Sequence, residues 1–412
     1  MKNSLYSGLS LLLSILLIGS IVGSLAAFFL VALEFVTNER ESSLWWVYFL
    51  PVGGAVIGFT YYYLEKNVEG GNNLLIKEMI IPKNRIHWKL TPLVLFGTLA
   101  THLFGGSAGR EGTAVQMGGT TADQFNGLFN LPEIERKLLL RMGVAAGFAG
   151  IFGTPIAGIF FALELGRDNK FHFIWIPPLV LVSFFADFIC HVWNVHHTTY
   201  SITNFTEFDI QSISMVFVAG VIFGLCALFF NLTKITLTKW FIRFIAYPPL
   251  RPIIGGAVLL IIVLLLNTTK YLGLGVPIIE DAFVNSASSE VFLIKLLLTA
   301  FTLAAGFKGG EATPLFFMGA TLGSFLIIVL PLPISLLAGL GFIAVFAGAT
   351  NTPIACTLMG CELFGYEGIV YYAIVCFTAY LITGKTSVYA SQQEYLKKIS
   401  FLERYRTKQV ND

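Results

Sequence analysis

The chain has 412 residues and a formal net charge of +2, with 56% hydrophobic and 12% charged residues. Soluble domains carry roughly a quarter charged residues, so this composition excludes that class and marks an integral membrane protein. The charge balance gives no reason to expect nucleic acid or acidic substrates as partners.

Leu5–Val36 is too long for the apolar core of a signal peptide and has Lys2 as its one basic flank, so it reads as a long tilted helix at the start of the mature chain. Trp45–Leu64 follows, then a polar turn, Glu69-Gly-Gly-Asn-Asn73, and Leu74–Ile81, too short to cross a bilayer. Next come Leu90–Leu103, the Gly-rich Arg110–Phe125, Arg136–Phe152, Pro155–Leu165 and Phe173–Trp193. Several fall below the roughly 20 residues a spanning helix needs, and Gly or Pro interrupts most, which implies broken half-helices. A polar interval, His196–Gln211, leads to Ile213–Phe230 and a basic amphipathic stretch, Lys234–Arg251. Ile253–Leu266, a Gly-rich turn at Leu272–Pro277, Phe292–Ala305, Thr313–Leu330, Ile334–Ala347, Pro353–Leu363 and Ile369–Ile382 complete the apolar part, and Ser391–Arg406 reads as a charged helix. Cys190, Cys226, Cys356, Cys361 and Cys376 lie in apolar runs without metal spacing and read as small buried hydrophobes.

One stretch carries chemistry. Gly105-Gly-Ser-Ala-Gly-Arg-Glu-Gly-Thr113 places Arg110 and Glu111 between apolar segments, where charge is expensive and usually has a task. Glycines on both sides let the backbone leave its helix and present bare N–H groups. An ion site is the expectation.

The two halves resemble each other. Gly-Arg-Glu111-Gly-Thr113 corresponds to Gly-Gly-Glu311-Ala-Thr313, and Phe152-Gly-Thr-Pro-Ile-Ala-Gly158 to Thr350-Asn-Thr-Pro-Ile-Ala-Cys356; nine residues after each Pro comes an acid, Glu164 or Glu362. Gly70-Gly-Asn-Asn73 has a looser counterpart in Gly273-Leu-Gly-Val-Pro277. Interrupted helices repeated in corresponding positions point to a transporter whose site lies between the repeats near the midplane. Hydropathy leaves open whether the repeats are inverted or parallel. The division expected is 1–205 for the first repeat, 206–390 for the second and 391–412 for a short charged tail. Basic residues at Lys66–Lys89, Lys234–Arg251 and Lys397–Arg406 belong to the cytoplasmic side by the positive-inside rule.

Gly-Ser-Ala-Gly-Arg-Glu-Gly-Thr, Gly-Phe-Lys-Gly-Gly-Glu-Ala-Thr-Pro, Gly-Thr-Pro-Ile-Ala-Gly and Tyr389 resemble the CLC anion channels and transporters over about residues 5–400. The resemblance implies an all-α membrane protein of two inverted-topology repeats, a homodimer with one pathway per subunit, and anion sites lined by helix N-termini. It makes Glu111 the external gating glutamate and proton carrier, and Tyr389 the central tyrosine. Departures from the chloride pattern are informative. Thr113 stands where chloride members have Pro; Gly71-Asn-Asn-Leu-Leu75 replaces Gly-Ser-Gly-Ile-Pro; Leu165 replaces the inward proton-handling glutamate; Glu311 and Thr313 stand in the second-half motif. Together these resemble the CLC-F branch, fluoride/proton antiporters, and imply fluoride export, fluoride resistance and a prokaryotic inner membrane.

Fluoride is small and strongly hydrated, so its site must replace water with close donors. Asn72 or Asn73, Thr313 and the backbone around Gly109, Arg110, Gly112 and Thr113 are the candidates, with Tyr389 lining the path. With Leu165 unable to carry protons, Glu311 is the candidate second acid. Plainer roles are open at each: Glu111 paired with Arg110, Glu311 with Lys308, Glu164 and Glu362 as helix caps, Asn72 and Asn73 as a turn. A chloride/proton antiporter or passive anion channel of the same fold is the alternative. A membrane enzyme using Glu111 and Glu164 lacks a nucleophile, metal or cofactor motif, and the six histidines, His87, His102, His172, His191, His196 and His197, lack ligand spacing.

Overall fold

The computed structural model describes residues 8–64, 70–129, 132–166 and 172–393. Helices form the architecture among them. The first half runs α1 Gly8–Ser42, α2 Trp45–Tyr48, α3 Leu50–Leu64, α4 Asn72–Ile80, α5 Leu90–Leu103, α6 Glu111–Phe129, α7 Glu133–Phe152, α8 Pro155–Leu165 and, after a 3-10 turn at Phe173–Trp175, α9 Ile176–Val192. The second runs α10 Ile210–Phe244, α11 Leu250–Leu266, α12 Val276–Ala282, α13 Ser289–Ala304, α14 Ala312–Phe325, α15 Ile334–Thr350, α16 Pro353–Phe364 and α17 Ile369–Thr383; α18, Ala390–Gln393, follows. Short 3-10 turns at Leu326–Ile328 and Tyr366–Gly368 extend α14 and introduce α17.

The halves match element by element once the small α2 is set aside, and both open on a 35-residue helix, α1 and α10. Three reciprocal contacts show that the second half is inverted. At α3 and α11, a Cβ on Gly54 would meet the Pro252 carbonyl oxygen at 2.1 Å and one on Gly256 the Leu50 carbonyl oxygen at 2.6 Å, as antiparallel helices require. The α8 and α16 ends close one another: Glu362, late in α16, accepts from Ile156 N and Ala157 N at 2.8 Å each, while Glu164, late in α8, accepts from Ile354 N at 3.1 Å and Ala355 N at 2.8 Å. Third, Gly109 and Gly310 exchange backbone hydrogen bonds of 2.7 Å as an isolated antiparallel bridge.

The reason for the crossed caps lies in the sequence. Pro155 and Pro353 begin their helices with no N–H, so the next two amides are the first donors in need of a partner. A carboxylate at a helix N-terminus satisfies both and faces the positive end of the dipole. Glu164 and Glu362 thus are caps, each for the other repeat's helix.

Within each repeat, small residues bring backbones together. Gly118 and Gly143 join α6 to α7, and Gly319 and Gly341 join α14 to α15; in every case a Cβ would lie within 2.3 Å of the opposite carbonyl oxygen. Such packing suits bilayer interiors, where apolar burial gives no drive between helices. Four helical stretches among the described residues are long and apolar enough to cross a membrane, Ser10–Ser42, Phe173–Val192, Ile210–Phe244 and Tyr366–Thr383. Others, such as α5, α8 and α16, are shorter, as the interrupted pattern predicts. Leu181, Phe188, Leu225, Phe229, Phe377 and Leu381 stand exposed on the long helices, and Trp45, Trp88, Trp193 and Trp240 are exposed near helix ends, the arrangement of a lipid-facing surface with interfacial aromatics.

Some expectations need correction. Ile213–Phe230 and the basic stretch from Lys234 form one helix, α10, because nothing between them breaks it and Lys234, Lys239 and Arg243 ride on its extension. Trp45–Leu64 is split at Phe49, ahead of Pro51 in the first turn of α3. Asn72 and Asn73 are no turn: they open α4, and the turn belongs to Gly71, whose φ of +50° a side chain would resist. The expected charged helix Ser391–Arg406 lies largely outside the described residues.

Candidate anion and proton site

The two motif loops meet at the centre and are held by each other's repeat. Ser107 N donates to Thr302 Oγ1 at 3.3 Å, and, in mirror fashion, Lys308 N donates to Thr101 Oγ1 at 3.2 Å. His102 links α5 to its own loop through the Thr98 and Ala108 carbonyls, a buried structural role. The Gly109–Gly310 bridge then aims the N-termini of α6 and α14 at a common point. Gly112 is required there: a Cβ would sit 3.0 Å from Gly310 Cα and 2.9 Å from Asn72 Nδ2.

Glu111, the first residue of α6 and 2% exposed, occupies that point. Its Oε2 accepts from Arg110 N at 3.1 Å and Thr313 N at 3.0 Å, and Oε1 accepts from the Thr313 hydroxyl. The Arg110 guanidinium stands off, with Nε 3.8 Å from Oε1. The carboxylate is therefore a tethered anion, clasped by backbone and hydroxyl donors from both repeats.

Glu311 stands at the residue before α14, with its side chain near Gly112. Its Oε1 lies 2.6 Å from Lys234 Nζ on α10, and its buried Oε2 has no hydrogen-bond partner. The plainer reading, Glu311 paired with Lys308, gives way to Lys234: the Lys308 ammonium lies over the Tyr61 ring at 4.1 Å, and the one that reaches Glu311 comes from α10.

The other expected residues divide. Asn72 points at the site, with Nδ2 beside Gly112 and Oδ1 buried without a partner. Asn73 lines the same cavity as Asn72, but its Oδ1 is taken, accepting from Ser391 N at 3.0 Å and so tying α4 to α18. Tyr389, 5% exposed, is brought to the site by the Val388 N to Ala349 O bond of 2.8 Å. Thr113 is fully buried, and its hydroxyl pairs with Thr98 Oγ1 at 2.6 Å, so its side chain fixes α6 to α5 instead of facing the Glu111 carboxylate.

Three cavities adjoin these groups. A first chamber of about 420 Å³ has Glu34, Asn38, Arg110, Asn194 and His196 in its wall. Arg110 also lines a throat of about 20 Å³ with Glu111, Thr313, Phe316, Phe342 and His197, room for one water-sized guest. A second chamber of about 280 Å³ carries Asn72, Gln116, Lys234, Lys308, Glu311 and Tyr389. Phe316 and Phe342 stack at 4.0 Å and stiffen the throat wall. His197 sits in the loop after α9; burial and then the Arg110 guanidinium push its imidazole down to about 4. Lys234, Gln116 and this aromatic wall carried no local signal in the sequence. Among the described residues no group of three or more His, Cys, Asp or Glu could hold a metal ion.

Inverted repeats of broken helices with a clasped carboxylate between two chambers define an ion-transport protein of the membrane. The voltage gated chloride channel family profile matches residues 53–384, and the chain belongs to this family, the CLC proteins. It is 42% identical over 383 residues to a chloride/fluoride channel protein of Pseudomonas syringae pv. tomato, covering 92% of this chain and 85% of that one. The crystal structure of a CLC-type fluoride/proton antiporter superposes with a TM-score of 0.91 at 35% identity, over 95% of this chain and 99% of the other. A slow cyanobacterial Cl⁻/H⁺ antiporter shares the fold, with a TM-score of 0.81 at 20% identity over 95% and 98%.

Proposed function

We propose that this chain is a fluoride/proton antiporter that exports fluoride in exchange for protons, with Glu111 as gate and proton carrier. The observation that carries the reading is the clasp on Glu111: Arg110 N, Thr313 N and the Thr313 hydroxyl hold a carboxylate where a free anion would bind. Carboxylate and anion compete for one donor set. A proton on Glu111 removes its charge and weakens its hold, which opens the donors to an anion; proton and anion occupancy become linked, the basis of coupled exchange.

Fluoride is favoured over chloride by the close donors, by the throat's room for a single water-sized guest, and by the Asn72 amide beside Gly112. The relatives named for fluoride, at 42% and 35% identity, support the same choice. Glu311 serves as the second acid, since Leu165 is buried and cannot carry a proton. Tyr389 and Asn72 line the second chamber, which faces the cytoplasm by the positive-inside rule. The protein works as a homodimer in a prokaryotic inner membrane, with one pathway per subunit, as the family resemblance implies.

Purified protein in liposomes, under an imposed pH gradient, should release fluoride far more readily than chloride while protons move the opposite way. Fluoride flux without proton movement at any gradient would leave a passive channel, and equal chloride flux a chloride antiporter. Glu111→Gln should abolish or uncouple exchange in a protein that still folds; normal coupled exchange in that variant removes Glu111 from the mechanism.

A further inference from the structure

We propose that Lys234 is a positioning residue for the proton step at Glu311: its ammonium holds that side chain as a paired carboxylate in the second chamber, and a proton on Glu311 releases the ammonium to face the chamber. The inference rests on the antiport reading and adds a residue that it does not need for the clasp on Glu111.

The geometry is specific. Lys234 reaches from the last third of α10 to a residue 77 positions away, making a 2.6 Å contact with Glu311 Oε1 and a 3.4 Å contact with the Val388 carbonyl beside Tyr389. The pair is largely buried, with side-chain exposures of 19% and 10%. One Glu311 oxygen is fixed by Lys234. The other, unpartnered, lies toward Gly112, where a Cβ would be 3.6 Å from it and 2.9 Å from Asn72 Nδ2. Glu311 is thus anchored at one oxygen and open to the site at the other.

The charged and titratable groups facing Glu311 can be named. Lys234 comes from α10, Glu111 from α6 through Thr313, Tyr389 from the segment before α18, and Lys308 and Tyr61 line the same chamber. Lys295 on α13 is turned to the Tyr271 and Gly273 carbonyls, and α15 brings no charge. Lys234 is therefore the ammonium in contact with this carboxylate. A buried carboxylate that loses its partner is strongly disfavoured as an ion, so removing Lys234 favours the proton-bound form. With the partner present, the neutral pair becomes a net cation when Glu311 takes a proton, and a cation draws fluoride to the inner mouth. Proton arrival and anion recruitment at this mouth are linked through one lysine.

Infrared difference spectroscopy on the full chain, titrating pH in reconstituted membranes, reads this directly. The carboxyl C=O band of Glu311 is identified by its loss in Glu311→Gln. Lys234→Met and Lys234→Gln should each move its midpoint to more alkaline pH by about one unit, a tenfold change in the proton-binding constant. The pH midpoint of fluoride efflux on the Lys234 side should move with it, and Lys234→Arg should restore both. An unmoved band in either neutral variant overturns the proposal, as does an equal shift in Lys234→Arg. Wild-type fluoride flux that carries no protons removes the antiport reading instead, whereas normal coupling with an unmoved band removes Lys234 alone.

Discussion

Replacing Glu164 with Ala tests whether the crossed caps hold the repeats together. Its two oxygens serve Ile354 N at 3.1 Å and Ala355 N at 2.8 Å, while Pro353 needs no partner and Cys356 N is already bonded to Thr352 O at 3.1 Å. Removing the carboxylate therefore orphans two amides, that of Ala355 buried and that of Ile354 part-buried. Hydrogen bonds to charged groups are worth about 1.5–3 kcal/mol each in soluble proteins, and side-chain bonds inside membrane bundles average about 0.6 kcal/mol with a maximum of about 1.7. Two lost bonds at a value between these put the destabilisation at about 3 kcal/mol, and with an unfolding entropy of about 2.1 cal/mol/K per residue a chain of 412 residues responds with roughly 1.2 °C per kcal/mol, or about 3–4 °C. Glu164→Gln keeps one acceptor oxygen without the charge and should fall about halfway. Thermal unfolding in detergent at one fixed scan rate, followed by size-exclusion of the surviving folded fraction, measures this. A Glu164→Ala protein that melts within the ~0.5 kcal/mol scatter of surface substitutions would refute the reasoning.

Thr313→Val keeps the backbone N–H on Glu111 but deletes the hydroxyl; with one charge-assisted bond worth about 1.5–3 kcal/mol, fluoride flux should drop by about 10- to 100-fold. Flux assays at saturating fluoride decide it, and an unchanged rate means that the hydroxyl is a spectator. His197→Gln should leave the shape of the pH profile between pH 5 and 8 unaltered, because an imidazole held down at about 4 is already neutral throughout that window. A profile that changes there would show His197 gaining a proton during transport.

Signals confined to a few neighbouring residues were legible in the sequence. Gly, Pro and an isolated charge announced the broken helices, the repeat and Glu111, and α5 and α8 begin and end where their apolar runs do. What depended on chain crossing was not. Two adjacent asparagines offered no means of telling which lies beside Gly112, since the side-chain oxygen of Asn73 is taken by Ser391, more than 300 residues on. Thr113 looked like an anion ligand because it stands in the motif, yet a threonine at that helical turn faces α5, where Thr98 meets it. Lys234 belonged to a stretch that read only as basic and amphipathic, and its bond to Glu311 arises when α10 packs against the rest of the second repeat.

The reciprocal closure of α8 and α16 binds the histories of the two halves. A substitution at Glu164 is felt first in the other repeat, at Ile354 and Ala355, and one at Glu362 at Ile156 and Ala157. Neither duplicated half can diverge alone at these positions without stranding amides in its twin. A change at either acid therefore needs its compensation across the repeat boundary, in whatever then meets the amides of the opposite helix.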